Sequence, residues 1–129
     1  MKKLYTMLIV MLITIPCFAQ TEYFTAYQYS SKVMMNNGQW SNWLDWIATD
    51  IDVKIDFDKA KIVIYSNEPQ IYRLIEEVEA PYDDGGQQIK YRMIDQDGDY
   101  GSIRFRKQYN GTIQLYIDYA DIKWVYNIE

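Results

Sequence analysis

A chain of 129 residues with 13 basic and 18 acidic side chains carries a net charge of −5, a balance that argues against nucleic acid and anionic lipid surfaces as partners. It holds no histidine and a single cysteine, Cys17, which excludes Ser-His-Asp and Cys-His catalytic sets and His/Cys zinc centres. The length fits one domain whose core is large enough to stand without disulfides.

The N-terminus reads as an export signal. Lys2 and Lys3 form a positive head, a largely apolar stretch runs over residues 4–15, Pro16 breaks it, and Cys17 and Ala19 are the small residues before a cleavage site. The expectation is a signal peptide over residues 1–19 and a mature domain over residues 20–129, sent to the periplasm or secreted. The stretch is too short to span a bilayer, and no second hydrophobic run follows, so no membrane span is expected. The alternative is a lipoprotein anchored through Cys17, against which Pro16 stands where that reaction wants a small residue. Cleavage removes Lys2, Lys3 and Cys17, leaving 11 basic against 18 acidic residues, net −7. The mature domain is then free of thiols in an oxidising compartment.

The rest reads almost entirely as strand, with apolar and polar residues alternating at period two. A first strand spans residues 22–34, with Tyr23, Tyr27 and Tyr29 on one face, and Asn36-Asn37-Gly38 turns it. Segment 40–49 is ambiguous: Trp40, Trp43, Leu44, Trp46 and Ile47 fit a short helical face better than a strand. Residues 51–57 alternate without fault, Asp58-Lys59-Ala60 turns, and residues 61–66 return. Strands at 70–79 and 88–94 flank the strong turn signal of residues 81–86. Asp97-Gly98 leads into residues 101–107, and Asn110-Gly111 is a favoured hairpin pair. Residues 112–119 follow, and a last strand at 122–128 points Ile122, Trp124, Tyr126 and Ile128 inward.

About eight short-linked strands imply an antiparallel up-and-down meander. Each has one apolar and one charged face, so the sheet has a single face to bury. An all-β, closed, lipocalin-like barrel does this and removes both edges; a two-layer β-sandwich is the alternative. The strand order and the closing run Tyr119-Ala120-Asp121-Ile122-Lys123-Trp124-Val125-Tyr126-Asn127 resemble small secreted Gram-negative bacterial proteins of unknown function with lipocalin-like barrels. No Gly-x-Trp signature opens the first strand, so the resemblance implies a fold and a binding cavity and carries over no functional residue.

Asp95-Gln96-Asp97-Gly98-Asp99 has the look of a calcium loop, but Gly98 precedes Asp99 rather than following a third acid, and hairpin-turn chemistry explains it. Trp40, Trp43 and Trp46 could stack on sugar rings or plug a barrel end. The tyrosines, 13 in all, suit a half-buried wall, and Tyr91 and Trp124 are placed to line a cavity. Arg92, Arg104 and Arg106 fall on the outer faces of neighbouring strands, where acids can pair with them. A hydrolase would need two converging carboxylates, and nothing singles out a pair. The expectation is an exported, non-enzymatic binding protein without cofactor or metal, holding a small amphipathic ligand. Its sites would be Trp40, Trp43, Trp46, Tyr91 and Trp124. The alternatives are a protein-interaction or inhibitor module with a filled core, and glycan recognition through Trp40, Trp43 and Trp46.

Overall fold

The computed structural model describes residues 21–80 and 86–129; the expected signal peptide and most of the turn at residues 81–86 lie outside them. The described residues form strands only: β1 (Thr21–Val33), β2 (Ile47–Asp56), β3 (Lys61–Ile64), β4 (Gln70–Val78), β5 (Gln87–Asp95), β6 (Tyr100–Lys107), β7 (Ile113–Asp118) and β8 (Ile122–Ile128). Each pairs antiparallel with its neighbour in sequence, and β1 pairs with β8, so the sheet closes into an up-and-down barrel. The β1–β8 pairing settles the barrel over the sandwich, which would satisfy the same alternation but leave outer strands unpaired.

The alternating residues point inward as the period demands. Val53 and Ile55 of β2, Ile62 and Ile64 of β3, Tyr72 and Leu74 of β4, Ile89, Tyr91 and Met93 of β5, Ile103 and Phe105 of β6, and Leu115 and Ile117 of β7 belong to one buried cluster. Ile103, Leu115 and Ile117 are wholly without solvent contact. An eight-stranded barrel is just wide enough for side chains to fill, and these apolar side chains line its interior as one buried cluster.

Two bulges break the simple alternation. In β1 the register slips between Ala26 and Gln28, so Ala26 and Tyr29 both face inward although their parities differ. Tyr23 is exposed while Tyr29 packs on Tyr126, with ring centroids 6.1 Å apart. The expectation that Tyr23, Tyr27 and Tyr29 share one face is therefore wrong: an extra residue in one strand turns every later side chain over. In β4 the slip lies between Leu74 and Glu76. It turns Glu76 outward, where it binds Arg92 at 2.8 Å.

Segment 40–49 is not helical. Met34 and Trp40 form a bridge, Ser41 N–H donates to the Val33 carbonyl, Leu44 N–H donates to the Ser31 carbonyl, and β2 begins at Ile47 opposite Tyr29. The chain thus runs back along β1 as an irregular extension of β2. The free backbone edge of β1 offers hydrogen bonds that a two-turn helix would forgo, and this outweighs the spacing of the indoles.

The extension also changes what is buried. Val125 of β8 and Tyr116 of β7 point away from the core, yet both are buried, as are Ser30, Gln114 and Asn127. The sheet therefore has a second covered face over β7 and β8, which a single-sided alternation does not foresee. Ser30 Oγ donates to the Leu44 carbonyl, at 2.5 Å. Gln114 Nε2 donates to Asn127 Oδ1 at 3.1 Å, and Tyr116 Oη donates to Gln114 Oε1 at 2.9 Å, so these polar groups are satisfied where they lie.

Candidate functional site

The outer cover is built from aromatic rings and cations in turn. β1 sends Lys32 outward, and the hairpin at residues 35–39 brings Trp40 and Trp43 back over it. Lys32 Nζ sits 4.7 Å from the Trp43 ring centroid and 5.6 Å from that of Trp40. Lys123 of β8 lies 4.7 Å from the Trp40 centroid. Trp43 meets Tyr116 edge-on at 6.0 Å, and the Arg104 guanidinium lies 4.0 Å from the Tyr116 ring. Arg104 is in turn forked onto Asp118: Nε donates to Oδ2 at 2.6 Å and Nη2 to Oδ1 at 3.3 Å. Each cation–ring contact of this kind contributes about 0.5–2 kcal/mol, more as it is desolvated.

Beside this strip lies an open groove of about 580 Å³, bordered by Trp40, Lys90, Arg92, Ser102, Asp118 and Lys123. Arg92 is held by Glu76, and the Asp118 carboxylate by Arg104. Lys32, Lys90 and Lys123 have no carboxylate partner among the described residues. Two of these ammonium groups, Lys32 and Lys123, lie against the Trp40 ring, and Lys90 and Lys123 border the groove with it, a local positive field on a chain that is acidic overall.

The five expected site residues do not form one site. Trp40 and Trp43 share the outer strip. Trp46 is half exposed and makes no ring contact among the described residues. Tyr91 is buried in the barrel core, opposite Glu77 of β4. Trp124 is inside the barrel at its other end, its ring 5.6 Å from that of Tyr119. The sequence patterning missed Lys32, Lys90 and Lys123, because an alternating strand places a lysine outward whether or not an acid awaits it.

At the barrel end where Trp124 lies, a polar lattice crosses the interior. Tyr119 Oη donates to Asp95 Oδ2 at 2.6 Å, Tyr72 Oη donates to Gln70 Oε1 at 2.6 Å, and Gln70 Nε2 donates to Tyr126 Oη at 3.1 Å. Burial pushes all three phenols up, with the Asp95 carboxylate adding to the effect on Tyr119, so all three stay protonated. Trp124 Nε1 is buried without a hydrogen bond of good geometry, although it leans toward Tyr126 closely enough to offset part of that upward push. The Asp95 carboxylate also accepts backbone N–H groups from Asp97 and Asp99, both at 2.9 Å. The triple-acid motif is thus a hairpin turn with Gly98 at a positive φ of 87°. Among the described residues no cluster of three metal-ligating side chains exists, nor any helix long and apolar enough to cross a membrane.

Comparison with protein-family models, with curated proteins and with solved structures finds no match to this chain.

Proposed function

We propose that this barrel is an exported, non-catalytic recognition protein. It binds an acidic glycan on its outer face, in the groove between Trp40 and the lysines. The observation that carries the reading is that Lys90 and Lys123, neither paired with a carboxylate, border a groove of about 580 Å³ together with Trp40, whose ring also holds Lys32 and Lys123. The ammonium groups of Lys32 and Lys123, held in place by a ring, are preorganised to receive carboxylate or sulfate groups, since little side-chain entropy remains to be lost. The indole edge supplies an apolar surface for the sugar between those charges.

The interior supports a surface site over storage. Inward residues Ile55, Ile89, Ile103 and Leu115 all belong to one buried core cluster, and the tyrosine lattice crosses one end of the barrel. The acidic balance of the whole chain opposes a polyanion only at long range. At physiological ionic strength the Debye length is about 8 Å, so the local patch decides. Export rests on the N-terminal leader.

Calorimetric titration with polygalacturonate and chondroitin sulfate, beside neutral dextran, tests the reading. Binding of an acidic polymer that weakens steeply with salt, and at least about tenfold with Lys90→Gln combined with Lys123→Gln, is expected. Equal affinity for dextran, or an unchanged affinity in the double variant, would overturn it.

A further inference from the structure

A second cleft, of about 530 Å³, opens at the barrel end above the tyrosine lattice. Its wall has the opposite chemistry to the outer groove. Three tyrosines (Tyr29, Tyr65 and Tyr126) and two carboxylates (Asp50 and Glu68) line it, and no lysine or arginine does. Neither carboxylate takes part in an ion pair among the described residues.

The rings are differently held. Tyr126 rises from β8 and is only 5 % exposed, while Tyr29 of β1 tilts against it at 46°. Tyr65, just past β3, is half exposed at the rim. Tyr126 Oη accepts the hydrogen bond from Gln70 Nε2, but its own proton meets no acceptor among the described residues. A buried hydroxyl that accepts but does not donate, on the wall of an open cleft, is a donor kept for something that enters.

These groups select by charge and by hydrogen bonding together. Aromatic faces beside uncompensated carboxylates attract an organic cation and disfavour an anion. The undirected Tyr126 proton calls for an oxygen acceptor on the same molecule. The size falls in the usual range for small-molecule sites, roughly 300–1,000 Å³. We propose that this cleft binds a small organic cation: an ammonium group with a hydroxyl or carbonyl oxygen a few atoms away. The site is independent of the outer groove, since the two share no lining residue.

Choline is the probe, and 3,3-dimethyl-1-butanol is its neutral counterpart of the same shape. Calorimetry on the mature protein is expected to show choline binding at least about tenfold tighter than the neutral alcohol. The exposed pair Asp50→Asn with Glu68→Gln is expected to erase that preference. Tetramethylammonium, which lacks the oxygen, is expected to bind about threefold to tenfold more weakly than choline, and Tyr126→Phe to abolish this second difference. The ratio is read within one variant, so a change in its stability does not confuse the result. Sedimentation with phosphatidylcholine vesicles separates sources: choline-competed pelleting assigns a lipid headgroup, and its absence assigns a free amine. No choline binding up to about 10 mM, weaker than any useful site affinity, would overturn the proposal. So would equal binding of the neutral alcohol.

Discussion

The Tyr119 hydroxyl donates to Asp95 Oδ2 at 2.6 Å, tying the β7–β8 turn to the β5–β6 turn across the barrel end. Burial by itself would push the Asp95 carboxyl up. Hydrogen bonds from Tyr119 and from the backbone N–H groups of Asp99, Asp97 and Gly98 outweigh it and hold the carboxyl below its ordinary value. A carboxyl depressed by folding stabilises the fold above its unfolded pKa of 3.8 and ceases to do so as pH falls through the folded value. Tyr119→Phe is therefore expected to cost about 1–3 kcal/mol at pH 7. The gap from the parent protein is expected to narrow at pH 3, as measured by urea unfolding. A gap equal at both pH values would refute the linkage.

The same turn explains Gly101. A Cβ there would lie 2.6 Å from the Asp118 carbonyl oxygen, 2.8 Å from Met93 Cε and 3.1 Å from Tyr119 Cδ1. The methionine end can swing away, but the Asp118 carbonyl is part of the β7 backbone and cannot. Gly101→Ala is expected to destabilise by about 1–3 kcal/mol. Gly38→Ala strains a positive φ of 82° but meets nothing within 4 Å, so its cost is about 1 kcal/mol. Thermal melts of the two variants give the order; a milder effect at Gly101 would show that β6 and β7 can part.

Ala60 holds a φ of 50° in the β2–β3 turn, a left-handed conformation that costs a residue with a Cβ about 1 kcal/mol. Asp56 Oδ1 accepts the Lys59 N–H at 3.1 Å, and the Ala60 carbonyl accepts the Leu74 N–H at 2.7 Å, so the conformation is fixed from both sides. Ala60→Gly is expected to stabilise by up to about 1 kcal/mol, the relief of strain exceeding the added entropy of the unfolded chain. Calorimetric melting checks the sign, and a lowered melting temperature would mean the turn has another conformation.

The barrel was legible in the sequence because its evidence is local. Alternation in β2, β5, β6 and β7 puts Ile55, Ile89, Ile103 and Leu115 inward, and Asn110-Gly111 marks its hairpin directly; Gly111 indeed has a φ of 92°. What escaped depends on pairs distant in sequence. The bulge beside Tyr27 is set by the partners on both sides of β1, so Tyr29 could not be placed from its parity with Tyr23. The spacing of Trp40, Trp43 and Trp46 suits a helix as well as an irregular strand, and the unpaired edge of β1 decides between them. The candidate sites escaped for the same reason. Lys32, Lys90 and Lys123 come from three strands, and the cleft tyrosines from β1, β8 and the chain beyond β3.

Two arginine–carboxylate pairs offer a final contrast. Arg92 and Glu76 face each other across β5 and β4 with half of each side chain exposed. Arg104 and Asp118 sit under the aromatic strip, with side-chain exposures of 19 % and 10 %. Water screens the first pair, so Glu76→Gln is expected to cost less than about 1 kcal/mol, and less still in high salt. Asp118→Asn leaves the Arg104 cation half desolvated against Tyr116, which lies 4.0 Å away. The cost is expected near 2–4 kcal/mol with little salt dependence. Replacing both partners, Arg104→Met with Asp118→Leu, is expected to recover most of that loss, because it removes the stranded charge. Urea unfolding of all four proteins at low and high salt distinguishes the cases. If Asp118→Asn were as mild as Glu76→Gln, the cover formed by Trp43 and Tyr116 would admit water freely.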